Sequence, residues 1–301
     1  MHTATDLIIE HNAPIPTWFK VGGRADALAR PTTVEQVRDL LLMFAHQPVR
    51  VLGDGANLLV DDEGVDGLVL DLRSMNRVDW PDDSAEPIVR AQAGANLPKL
   101  ITEAVRRGLA GIETLAGIPA TLGGAIVMNA GGAFGQISDS VHHVHALTRT
   151  GELLSIPIPE IHFSYRHSGL NHLIIVAADL RLRRVAHAEQ PALRDRLKEV
   201  MAYKKNSQPM ADNSAGCYWK NPTDPADPTK RLSAGKLIDD CGLKGVTFGG
   251  ATVSPVHANF VVTAEGCKAR DIVALMESVR RRVTERTGIT LEPEVVYWRR
   301  G

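Results

Sequence analysis

The stretch from Gly111 to Gly135 is dense in glycine and alanine and carries a single charge, Glu113. Glycine has no Cβ, so such a stretch makes tight turns or lets a neighbouring backbone, or a bound phosphate, come close. Within it, Gly117-Ile118-Pro119-Ala120-Thr121-Leu122-Gly123-Gly124 leads on to Asn129-Ala130-Gly131-Gly132, and a second turn of this kind, Gly53-Asp54-Gly55-Ala56-Asn57-Leu58, lies upstream. Neither is a G-x-G-x-x-G fingerprint and no G-x-x-x-x-G-K-[ST] occurs, so the Rossmann and P-loop readings lose their signature. Tight turns or close packing would explain either segment alone. The two together, with Thr121 and Asn129 as polar partners, favour a dinucleotide held between two lobes, with Ile118, Leu122 and Ile126 facing a flavin ring.

At 301 residues, 44% of them hydrophobic, the chain is long enough for two or three lobes sharing a core. A formal net charge of −1 supplies no field for nucleic acid or a membrane surface. The first residues lack a signal-peptide pattern and no run of about 18 apolar residues occurs, so neither export nor a membrane span is expected. The cysteines, Cys217, Cys241 and Cys267, are odd in number and form no C-x-x-C pair. A reducing cytoplasm is expected, with neither a disulfide framework nor a metal site.

Thr33-x-x-Gln36 predicts a capped helix from Val34 to about Ala45, followed by strands at Val49–Leu52, Leu58–Val60 and Gly67–Asp71. Asn96 predicts the start of a helix to Arg107, with Gly108 ending it. Two further helices are predicted over 191–205 and 268–287, the second with Ile272, Met276, Val279 and Val283 on one face and Gly288 as its stop. The Pro/Asp-rich segment 221–229 reads as a surface loop. The pattern is that of α+β lobes rather than one doubly wound sheet.

Ser214-Ala215-Gly216-Cys217-Tyr218-Trp219-Lys220-Asn221 sets a thiol, an ammonium and an amide in a glycine-containing turn. A thiol, with an ordinary pKa of about 8.5, is mostly protonated at neutral pH yet gives its proton up readily. A buried apolar role is the commoner fate of a single cysteine. Arg166 offers a planar fork for a carboxylate or enolate, although a surface ion pair would equally occupy a lone arginine. Glu294, after Pro293 and beside a late strand, reads either as a proton-handling carboxylate or as a solvated turn residue. Lys220, Asn221, Lys236 and Lys244 can neutralise the phosphates of a nucleotide, or simply confer solubility.

Seven segments in order carry a resemblance: Asn12–Gly23, Gly53–Val60, Ala116–Gly124, Tyr165-Arg166-His167-Ser168, Ser214–Cys217, Gly235–Asp239 and Leu291–Val295. Together they resemble the signature set of the UDP-N-acetylenolpyruvoylglucosamine reductase (MurB) family, flavoenzymes of peptidoglycan synthesis. The resemblance implies a p-cresol methylhydroxylase-type FAD-binding fold of two subdomains, 1–72 and 73–205, with 290–301 returning to that lobe. It implies an α+β substrate-binding subdomain over 206–289. Non-covalent FAD, NADPH as reductant, and an enolpyruvyl UDP-sugar as substrate follow from it, with no obligate protein partner.

Position by position, the resemblance gives Arg166 and Glu294 the stabilisation of the substrate intermediate and Cys217 the place of the proton donor. Gly53, Asp54, Gly55, Ala56, Asn57, Leu58, Gly117, Ile118, Thr121, Gly123, Gly124 and Asn129 fall at cofactor positions. Tyr165, Lys220, Asn221, Lys244 and His257 fall at substrate positions. The donor in the family is usually serine, so Cys217 is a departure, and a chemically easier donor because a thiol is the stronger acid. The short interval between Arg166 and Gln208-Pro209 leaves no room for a lid loop with a clamping tyrosine, which places the chain in the family's shorter branch. Another FAD oxidoreductase or oxidase of the same cofactor fold would share Arg166 and the glycines, and a non-catalytic flavin-binding module would need only the glycines.

Overall fold

The computed structural model describes residues 7–81, 86–209 and 211–301. They are α+β and divide into two compact units, each interrupted in sequence: the described residues of 7–13, 26–54 and 67–204 form the first, and those of 14–25, 55–66 and 205–301 the second. No helix among the described residues is long and apolar enough to cross a membrane.

In the first unit, helix α1 (Val34–Met43) starts at Thr33, whose hydroxyl accepts the Gln36 N–H. The Gln36 side chain reaches back one residue further, to the Thr32 N–H at 2.7 Å. Buried Val37, Leu40 and Leu41 lie on one face of α1, as the 3.6-residue repeat requires. A four-stranded sheet runs in the order 9–14, 24–29, 65–71, 49–52, its last pair parallel with Val49 opposite Leu68. A second, antiparallel sheet runs 153–157, 141–147, 174–181, 88–92, 78–79.

Helix α2 (Leu97–Arg106) begins at Asn96, whose side chain accepts the Lys99 N–H at 3.0 Å, and Gly108 follows it with φ of +69°. The short helix α3 (Leu122–Val127) is capped by Thr121. One apolar core joins these helices to the inner faces of both sheets. Helix α4 (Gln190–Ser207) buries only Leu193 and Val200 along its length.

In the second unit, Ser233 caps helix α5 (Ala234–Asp240). Helix α6 (Ala269–Thr287) buries Ile272, Met276, Val279 and Val283, with Leu275 and Ala269 beside them, and stops at Gly288 with φ of +73°. Its first turn is capped from far away in sequence: both oxygens of Asp62 accept, from the Ala269 N–H at 2.8 Å and the Arg270 N–H at 3.1 Å. The strand 296–298 pairs in parallel with 58–60, Val296 opposite Leu58, and the Tyr297 hydroxyl donates to Asp61 at 2.6 Å. That hydrogen bond heads the causes holding Asp61 below the ordinary carboxylate range.

Strand 296–298 joins the C-terminal segment to strand 58–60, and Leu291 and Val295 lie in the core of the second unit. One expectation differs from these findings. The segment 221–229 belongs to a small hairpin of strands 223–224 and 227–231. Its aspartates make the turns themselves: Asp224 accepts the Ala226 N–H at 2.9 Å and Asp227 the Thr229 N–H at 3.1 Å.

Candidate active site

The strand that follows the Gly216 turn is gripped on both sides, all within the second unit. The Tyr218 N–H donates to the Asn259 carbonyl at 2.7 Å, while the Tyr218 carbonyl accepts the Glu294 N–H, also at 2.7 Å. Lys220 N–H donates to the Glu292 carbonyl at 2.9 Å, and isolated bridges join Cys217 to Phe260 and Trp219 to Pro293. The Asn57 side chain donates to the Glu294 carbonyl at 3.1 Å, and the Val296 N–H returns a bond to the Asn57 carbonyl. Four segments far apart in sequence, 55–58, 217–220, 257–260 and 292–296, therefore share one backbone network. Cys217 and Glu294 are both half-buried in it.

Gly216 takes φ of +76°, and a Cβ built there would meet nothing within 4 Å, so the turn into Cys217 borders open space. On either side of the thiol, the Ser214 hydroxyl and the Trp219 indole N–H are buried with no hydrogen-bond partner among the described residues. Buried donors of this kind normally find partners, and their presence here suits a region that binds something polar.

The sugar-nucleotide candidates of this unit gather around α5. The Asn221 carboxamide oxygen accepts the Ala234 N–H at 3.0 Å. Lys244 pairs with Asp239 at 2.7 Å, and Lys220 lies 3.9 Å from Glu292. A Cβ on Gly235 would stand 2.9 Å from His257 Cε1. His257 accepts the Asn259 N–H on Nδ1 at 3.2 Å and packs edge-on to Phe260. Burial first, and then the Lys244 charge, hold His257 below its ordinary 6.5 against an upward pull from its own backbone.

A histidine kept neutral in this way contributes stability that is complete above about pH 6.5 and declines as pH falls towards its folded pKa. The urea midpoint of the wild type should therefore fall between pH 7 and pH 5.5, relative to His257→Gln over the same range. Parallel slopes for the two proteins would show that His257 titrates as it does in the unfolded chain.

In the first unit the two glycine-rich segments meet. A Cβ on Gly53 would lie 2.5 Å from Thr121 Oγ1, so the end of strand 49–52 abuts the cap of α3. Asp54 adds a negative charge felt by Arg73. The glycines of α3 are not all turned to a ligand. Gly123 N–H donates to Ala93 O at 2.8 Å, Leu122 N–H to Ala95 O at 2.9 Å, and Gly124 N–H to Thr121 Oγ1 at 3.3 Å. A Cβ on Gly123 would stand 2.9 Å from that of Ala93, so this glycine permits helix and strand to touch. Gly117, with φ of +74°, lies under α4, where a Cβ would meet Lys204 Cδ at 3.0 Å, and Ile118 follows it half-buried against the core. In the second unit Gly55 takes φ of +67° and its carbonyl accepts the Trp18 N–H at 3.1 Å, ahead of Ala56, Asn57 and the buried Leu58. Packing on Thr121 accounts for Gly53 as packing on Ala93 accounts for Gly123; the fit to a dinucleotide rests on Gly124, which is exposed and where a Cβ would meet only Thr121 Oγ1, at 3.4 Å, so the backbone at the start of α3 is open to a phosphate.

Tyr165 and Arg166 form the tip of a two-residue turn in the first unit, closed by Ser164 N–H to His167 O at 2.9 Å and His167 N–H to Ser164 O at 3.1 Å. The guanidinium of Arg166 stands over the Tyr165 ring, 5.0 Å from its centroid. Asn129 is 1% exposed and its carboxamide is committed within the protein, to Gln136, Ser164 and Ser138. Asn259 was not singled out by sequence reasoning. Its only signal there is a lone asparagine in an apolar run, Ala258-Asn259-Phe260-Val261-Val262.

Residues 208–298 match the family model described as UDP-N-acetylenolpyruvoylglucosamine reductase, C-terminal domain, and residues 25–156 match the model described as FAD binding domain. The UDP-N-acetylenolpyruvoylglucosamine reductase of Moorella thermoacetica is 38% identical, over 100% of this chain and 97% of that relative. The one from Gloeobacter violaceus is 38% identical over 95% and 94%. The crystal structure of the MurB reductase from Thermus caldophilus aligns with a TM-score of 0.78 at 34% identity, covering 97% of this chain and 98% of that one. With its own FAD-binding domain and full-length relatives of this kind, the chain belongs to the UDP-N-acetylenolpyruvoylglucosamine reductase family of oxidoreductases.

Proposed function

We propose that this chain reduces UDP-N-acetylglucosamine-enolpyruvate to UDP-N-acetylmuramate, a cytoplasmic step of peptidoglycan synthesis, with NADPH as the reductant. The observation that carries this reading is the backbone network holding Cys217 and Glu294 together, inside the region matched to the reductase C-terminal domain. Non-covalent FAD, which the Gly53 turn, Thr121 and the Gly117 loop would hold, would supply hydride-transfer chemistry between NADPH and the enolpyruvyl methylene carbon.

The protein's own groups handle charge and proton. Hydride addition at the methylene leaves negative charge on the neighbouring carbon and its carboxylate. Arg166 and Glu294 are assigned to stabilise that charge distribution, Arg166 as a permanently charged fork and Glu294 through a proton it shares. Cys217 gives its thiol proton to the neighbouring carbon, completing a two-electron, two-proton-equivalent reduction as hydride plus proton. Lys220, Asn221, Lys244 and His257, around α5 and the Cys217 strand, hold the UDP-sugar, and Tyr165 takes part beside Arg166. Residues 206–289 thus act as the substrate lobe. The Gly53 turn, Thr121 and the Gly117 loop belong to the cofactor lobe.

The test is the visible spectrum of the anaerobic protein, before NADPH, after NADPH and after the enolpyruvyl sugar. A flavin spectrum that bleaches and then recovers with the sugar is the expected result. Recovery with oxygen alone would make the protein an oxidase of the same cofactor fold, and failure of NADPH to bleach the flavin would make it a binding module.

A further inference from the structure

We propose that Asn129 is a positioning residue for Arg166: its carboxamide holds the Tyr165–Arg166 turn in the one backbone conformation that sets the guanidinium. The inference rests on the role given to Arg166 above.

Arg166 has φ of +56° and Asn129 φ of +40°, two of the four non-glycine residues with positive φ among the described residues. Position three of a turn with positive φ is ordinarily glycine or asparagine, and an arginine there is strained unless its surroundings fix it. The surroundings do so at both ends of the turn. At Ser164, the carbonyl accepts the turn-closing His167 N–H at 3.1 Å and also the Asn129 side-chain N–H at 3.0 Å. Beyond the turn, the buried Ser168 hydroxyl donates to the Val127 carbonyl at 2.9 Å and accepts the Leu170 N–H at 3.3 Å.

Val127 ends α3 and Asn129 lies two residues past it, so both clamps reach the turn from the same end of that helix. The other end of α3 carries Thr121, against which Gly53 packs. One short helix thus ties the Gly53 turn to the Arg166 turn within a single compact unit. Asn129 itself is fixed: its second amide proton goes to Gln136 Oε1 at 3.1 Å, and its oxygen accepts the Ser138 N–H at 3.3 Å. With both donors and the acceptor committed inside the protein, the side chain acts on the turn rather than on a ligand.

The experiment is a double-mutant cycle of Asn129→Gly and Arg166→Ala, with Asn129→Asp as a second variant. Glycine permits the positive φ and removes the carboxamide together with its Cβ; aspartate keeps the Cβ and the acceptor and removes both donors. Flavin content, bleaching by NADPH and recovery with the enolpyruvyl sugar are measured separately. Asn129→Gly should keep its flavin and bleach within about twofold of the wild-type rate, while recovery slows by about tenfold or more; in the Arg166→Ala background it should add less than about twofold. Hydrogen exchange at the His167 amide should speed up in both Asn129 variants, whatever the state of the flavin. Equal slowing of recovery in the presence and absence of the Arg166 side chain, or unchanged exchange at His167, overturns the proposal. Near wild-type recovery in Arg166→Ala alone would instead remove the role given to Arg166, and the positioning of it with that role.

Discussion

Cys217→Ala should bleach with NADPH at the wild-type rate and then recover with the enolpyruvyl sugar about 10²- to 10⁴-fold more slowly, the usual range for removing a positioned proton donor. Cys217→Ser should retain turnover, because a hydroxyl in the same place offers a proton along the same path, although from a much weaker acid. The separation of half-reactions matters. The thiol has no part in the transfer from NADPH, so an effect on bleaching would indicate a disturbed fold instead of a lost proton. The structure gives reason to expect a clean result: Cys217 is anchored through its backbone, by the bridge to Phe260 and the neighbouring Tyr218 bonds, which the substitution leaves in place. Full recovery in the alanine variant would leave Cys217 a structural residue.

The residues named from sequence for the chemistry were the ones with unusual charge or turn context, and the folding of the chain explains why these were visible. Thr33, Asn96, Gly108 and Gly288 act through bonds to residues within four positions of themselves, so a local pattern carries their whole meaning. Asn129, visible in the sequence only as a polar partner of the glycine-rich turns, and Asn259, not marked there at all, act through neighbours at sequence distances of up to 35 and 40, which no local pattern reports. The same holds for the division into units: strand 58–60 pairs with 296–298, and Asp62 caps a helix over 200 residues later, contacts that no window of sequence reports. The glycines of α3 show a subtler limit. Phosphate binding and close packing both require the missing Cβ, and only the position of Ala93 shows that Gly123 serves packing.

The largest stability effect should come from Asn259→Leu. The Asn259 carboxamide spans the Trp219 peptide, accepting its N–H at 2.9 Å and donating to its carbonyl at 2.8 Å, while the Asn259 backbone carbonyl receives the Tyr218 N–H. Both residues are buried, at 3% and 2% exposure, so water cannot take over these bonds. Leucine nearly conserves volume yet leaves the Trp219 N–H and C=O without partners, at about 1–3 kcal/mol each. The sum is a large part of the about 5–15 kcal/mol that stabilises a typical domain. At about 2–4 °C per kcal/mol for a protein of this size class, the thermal midpoint should drop by about 10 °C. Asn259→Asp keeps the acceptor for the Trp219 N–H but sets a carboxylate oxygen against the Trp219 carbonyl, so it too should be destabilised. Because Asn259 lies outside residues 25–156, which match the FAD binding domain, flavin should stay bound to Asn259→Leu below its midpoint while recovery with the sugar is lost. A variant melting within about 2 °C of the wild type would show that strand pairing alone holds Cys217–Lys220 in place, and that the carboxamide clamp is dispensable.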